Sequence, residues 1–153
     1  MKSILRSAVV LSILMSNAAH AADPKPVSTP AAQVTDRGVW PDTRAGELAR
    51  GWVTAFSTGE PAMKEFLAQH LAPKSLESKS MPQRIVRYRE LRGTYGKLEL
   101  ISVVKSAPEE LTVKLMSSDA KRHEFVFTAQ TEAPFKLVSV GIKEPGHFGV
   151  FGH

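Results

Sequence analysis

The spacing of apolar residues changes once along this chain, from three or four positions to two, and that change constrains the fold more than any motif does. After Trp40-Pro41-Asp42-Thr43, either Asp42 or Thr43 can accept the free N–H groups of a helix start. Ala45, Leu48, Ala49, Trp52, Val53 and Phe56 then line one helical face as far as Gly59. Pro61 suits the first turn of a second helix, where its missing N–H costs nothing. Met63, Phe66, Leu67 and Leu71 form that helix's apolar face, and Pro73 is expected to stop it. A third helix starts at Ser80, with Gln83 completing a capping box, and carries Met81, Ile85, Tyr88 and Leu91 or Arg92 to a stop at Gly93.

From Lys97 the period is two. Leu98 and Leu100 face one way, but Ile101 and Val103 face the other, so the first strand is buried on both sides or bulged near Ser102. Leu111, Val113 and Leu115 alternate cleanly, as do His123, Phe125, Phe127 and Ala129. Val138, Val140 and Ile142 share a face of a fourth strand over Leu137 to Ile142, and polar turns separate the strands. Three helices followed by four hairpin-linked strands is an α+β order, with the helices on one face of an antiparallel sheet.

The chain of 153 residues can bury roughly two-thirds of its unfolded surface in one core, so no staple is required. Hydrophobic residues at 42% and charged residues at 23% exclude a disordered or fibrous chain. The absence of cysteine excludes a disulfide scaffold, a thiol nucleophile and a Cys-ligated metal.

Residues 1–21 read as a secretory leader. Lys2 and Arg6 precede the apolar run from Ala8 to Met15, and Ala19-His20-Ala21 is a small-x-small cleavage site. The run is well short of the ~20 residues a membrane span needs. Cleavage after Ala21 makes the bacterial periplasm or the medium the expected location, with no membrane contact afterwards. Residues 22–41, with Pro24, Pro26 and Pro30, read as a flexible linker, 42–144 as the folded domain, and 145–153 as a Gly/His/Phe tail without assignable structure. Losing Lys2 and Arg6 lowers the formal charge of +5 by two. What remains is too modest and too scattered for nucleic-acid binding.

The stretch Trp52-Val53-Thr54-Ala55-Phe56-Ser57-Thr58-Gly59-Glu60 resembles the opening of NTF2-like (SnoaL-like) domains, where a helix ending in an aromatic, small-polar, Gly, acid phrase leads into a second helix. Met63 to Leu71 and Arg84 to Arg92 continue the likeness. Residues 43–142 look like the small domain that precedes some exported serine-hydrolase (β-lactamase-like) and peptidase domains. The resemblance implies a cone, with three helices on a curved four-stranded antiparallel sheet and a pocket between them. In the family's enzymes a pocket carboxylate or histidine moves protons while a tyrosine holds the oxyanion. That set has no match here, because the inward positions Leu111, Val113, Leu115, Phe125, Phe127 and Ala129 carry no acid. Ser102-Val103-Val104-Lys105 matches Ser-x-x-Lys only inside a strand.

Four residues are candidates for a binding site. Arg84, Tyr88 and Arg92 recur every four positions on one helical face, where a phenol between guanidinium groups can hold an anion; alternatively the tyrosine lies on the sheet and the arginines reach water. His123 shares a face with Phe125 and Phe127, and is either an acid or base at a pocket mouth or a polar cap on the core. His70, His147 and His153 are imidazoles, but their spacing fixes no set of metal ligands, so no metal or other cofactor is expected.

A complete core without a catalytic pair favours a non-catalytic binding domain, holding a small apolar or weakly anionic molecule or a partner's segment. The first alternative is a proton-transfer isomerase, dehydratase or hydrolase using the same pocket. The second is an accessory module of a periplasmic enzyme that docks, or forms a homodimer, through its sheet. That reading expects an apolar strip of Ile101, Val103, Val126, Val138 and Val140 on the outer face.

Overall fold

The structure is a computed structural model that describes residues 38–144 and 147–151. The leader, and the linker as far as residue 37, lie outside the described residues. Helix α1 (Arg44–Thr58) begins where the Thr43 hydroxyl accepts the Gly46 amide at 3.1 Å, the cap expected of that residue. It is followed by α2 (Glu60–His70), α3 (Pro73–Ser78) and α4 (Met81–Tyr95). Then come β1 (Leu98–Ser106), β2 (Glu110–Ser117), β3 (Arg122–Ala129), β4 (Leu137–Glu144) and β5 (His147–Phe151). The α+β class holds, and the sheet is an open antiparallel meander in the order β1-β2-β3-β4-β5.

Three expectations are corrected. Helix α2 ends at His70 with Leu71 as its cap, and Pro73 opens α3 rather than stopping α2, since a proline suits a first turn. Gly93 lies inside α4, which runs on to Tyr95 and closes at Gly96, where φ is +65° and glycine carries no steric penalty. The tail is not without structure, because His147–Phe151 pairs with β4 from Glu144 back to Val140.

Helix α1 covers β1, β2 and β3, α2 packs beside α1, and α4 leans mainly on α2. Trp52 stacks on Phe56 at 4.9 Å between ring centres and meets Phe127 edge-on at 5.7 Å, so one α1 residue joins helix and sheet. Gly51 lets α1 and α2 approach closely; a Cβ there would stand 2.8 Å from the Phe66 ring.

Two register shifts in β1, at Leu100/Ser102 and Val103/Lys105, settle the ambiguous alternation in favour of bulges. The first shift re-aims the side chains that follow it, so Leu100 and Val103 both face the core, Val103 completely. A shift at Thr128/Ala129 likewise lets Leu137, Val140 and Ile142 face inward together. The expected outer strip is therefore dispersed. Val103 and Val140 belong to the core side, and the outer row through Ser102, Lys114, Glu124 and Lys143 is polar. The Lys143–Glu124 pair in that row closes at 2.9 Å. Among the described residues no helix is long and apolar enough to cross a membrane.

Candidate functional site

Because α4 rests on α2, a cleft of about 350 Å³ opens between α4 and β4. Trp52, Met63, Leu67, Phe125 and Ile142 form its apolar floor. Val138 and Val140 supply the sheet-side wall, and Tyr88 and Leu91 the helix side. Lys79, Gln83, Arg84 and Arg87 stand along the α4 side with Glu90. The volume falls at the small end of the ~300–1,000 Å³ typical of ligand sites, and the apolar lining with few polar groups is their usual composition.

Helix α3 anchors one side of the cleft. Ala72 donates its amide to Leu137 O at 2.8 Å, and the Ser75 hydroxyl donates to Val138 O at 2.9 Å, which ties α3 to the start of β4. Arg84 completes the joint from α4. Its Nε donates to Lys79 O at 3.0 Å and its Nη2 to Ser75 O. Partial burial lowers the Arg84 pKa from its ordinary value, since desolvation penalises the charged form.

The four candidate residues do not form one site. Tyr88 and Arg84 both line the cleft, but the buried Tyr88 hydroxyl donates to Phe56 O at 3.3 Å, into the helix layer. Arg92 turns away. Its Nη2 donates to Ser57 O at 3.0 Å and its Nη1 to Gly96 O, with the guanidinium 5.8 Å from the centre of the Phe56 ring. It thereby satisfies carbonyls at the ends of α1 and α4, as cations near helix C-termini do. A phenol held between two guanidinium groups is not what this geometry makes.

His123 lies at the other end of the sheet, against the edge of the Tyr95 ring at 4.6 Å. Its Nε2 is 3.1 Å from the Ser117 hydroxyl, which also bonds Asp119 Oδ1 at 2.5 Å. A serine hydroxyl has one proton, and the short bond commits it to the carboxylate. In that arrangement His123 donates to Ser117 through its Nε2–H tautomer, and the Ser117 hydroxyl also lies 3.0 Å from Lys121 O. Hydrogen bonds from Lys121 and Ser117 hold the Asp119 carboxyl well below the usual carboxylate range.

The acid among the described cleft residues is Glu90, which is exposed and paired with Arg87 at 2.7 Å. Arg89, on the solvated side of the same helix, pairs with Glu60 at 2.7 Å. Among the described residues no group of three His, Cys, Asp or Glu side chains could hold a metal ion.

Lys79 and Gln83 were not singled out by the sequence. Gln83 signalled only a capping box, which it does form, its Oε1 accepting the Ser80 amide at 2.9 Å. Trp52, Met63 and Phe125 carry the same apolar spacing whether they fill a core or floor a cleft. Comparison with protein-family models, curated proteins and solved structures gives no match.

Proposed function

We propose that this chain is an exported binding protein of NTF2-like architecture that holds a small apolar or weakly anionic molecule in the cleft between α4 and β4, without transforming it. One observation carries the reading. The floor of the cleft is apolar, while its ionisable lining residues all stand on the α3–α4 side. A proton-transfer site needs an acid or base aimed at the reacting atom. Here Glu90 is exposed and engaged by Arg87, and His123 belongs to another part of the fold. The export signal and the likeness of residues 43–142 to NTF2-like domains support the same reading from the sequence.

The test uses Trp52, which lines the cleft and is one of two tryptophans in the chain. Apolar compounds with neutral or single-acid groups are titrated while Trp52 emission is followed, with Trp40→Phe removing the second reporter. A saturable change that Val138→Phe abolishes, by filling the cleft, is the expected result. Saturable binding untouched by Val138→Phe would move the site elsewhere.

A further inference from the structure

We propose, resting on the binding reading above, that the ligand is an amphipathic monocarboxylate whose acid group sits at Lys79, Gln83 and Arg84 and whose apolar body lies over Trp52, Met63 and Phe125. The charges along the cleft are not balanced. Arg87 and Glu90 offset each other at 2.7 Å, whereas Lys79 and Arg84 face no carboxylate among the described residues. Two positive charges thus stand beside an apolar floor, where an anionic group makes a charge-assisted contact that a neutral molecule cannot.

Two of the donors, those of Arg84 and Gln83, are also oriented. Arg84 spends Nε and Nη2 on the carbonyls of Lys79 and Ser75, which fixes the guanidinium plane and leaves Nη1 without an acceptor among the described residues. Gln83 gives its carbonyl oxygen to Ser80, through the amide at 2.9 Å and the hydroxyl at 3.1 Å, so its Nε2 is likewise unengaged there. The Lys79 ammonium has no acceptor among the described residues and follows the same α3–α4 junction. Three donors from positions 79, 83 and 84, two of them charged, match the acceptor-only chemistry of a carboxylate. A cleft of about 350 Å³ admits an apolar body of modest length.

The experiment compares decanoate, decanol and acetate on the full chain by calorimetry. Decanoate is expected to bind about tenfold or more tightly than decanol, a difference of about 1.4 kcal/mol. Acetate, lacking the body, should give no measurable heat. The preference for decanoate should fall with added salt and drop at least about threefold in Lys79→Gln, an exposed position whose loss breaks no internal bond. Arg84→Gln should lose the preference, and Arg84→Lys, which keeps the charge but not the fixed guanidinium plane, should lose part of it. Equal binding of decanol and decanoate, blocked by Val138→Phe, would overturn the carboxylate assignment and leave the binding reading intact. A preference for decanoate unaffected by Lys79→Gln and Arg84→Gln would also overturn it. Binding of neither long-chain probe would remove both.

Discussion

Ser57 and Leu98 exchange a reciprocal pair of hydrogen bonds: the serine hydroxyl donates to Leu98 O at 3.2 Å and accepts the Leu98 amide at 3.1 Å. A single side chain thus joins the last turn of α1 to the first residue of β1. Leu98 is a buried residue, and both of its bonds to Ser57 are partly shielded from water. Ser57→Ala is expected to destabilise the fold by about 1–3 kcal/mol, the cost of leaving buried polar groups unsatisfied. Urea denaturation of the two proteins, showing a shift in midpoint at unchanged slope, checks this.

Two helical glycines should respond in opposite directions. Gly93 lies in α4 with open space around it, so Gly93→Ala replaces a poor helix former and should stabilise by about 0.5–1 kcal/mol. At Gly51 the same methyl would meet the Phe66 ring at 2.8 Å, and Phe66 is buried and packed on His70 at 4.7 Å. Overpacking of that kind costs about 1–3 kcal/mol, which exceeds the helix gain. Gly51→Ala should therefore lower the melting temperature while Gly93→Ala raises it.

The Asp119 carboxyl should govern part of the acid limb of stability. Its folded pKa is depressed, so its contribution is fully present above the unfolded value and lost as pH falls toward the folded one. Lys121 Nζ at 2.8 Å and the Ser117 hydroxyl at 2.5 Å are the causes. Asp119→Asn should flatten the decline in stability below about pH 4, where ordinary aspartates begin to protonate. The difference should shrink in high salt, because both charged groups are exposed. Denaturation midpoints measured across pH at two salt concentrations give the answer.

The faces of α1, α2 and α4 were legible because each repeats apolar residues at three and four and carries a capping or proline signal. Helix α3 was not, since none of its six residues is buried and it leaves no periodic trace. Its position matters all the same, because Ser75 and Arg84 use it to hold α4 against β4. The cleft was illegible for a different reason. Whether Met63 or Phe125 meets another side chain or an opening depends on how far α4 stands from β4, a distance set by long-range packing. Arg84 and Arg92 show the same limit. Four residues apart, they share a face of the helix, yet one reaches the α3 carbonyls and the other the end of α1.

The bulges of β1 allow a direct test of which face each valine occupies. Strict alternation groups Val103 with Ile101, away from Leu98 and Leu100. The register instead pairs Val103 with the fully buried Val113, and Val103 is itself 0% exposed. Val126 pairs with Thr112, on the opposite face, and is only half-buried. Replacing a valine by threonine keeps the shape but adds a hydroxyl, which costs about 1–3 kcal/mol where no partner or water can reach it. Val103→Thr should therefore destabilise by about that amount, whereas Val126→Thr, at a position only partly shielded from water, should cost distinctly less. Equal effects at the two positions, read from urea midpoints, would mean that the bulges do not turn β1 as described.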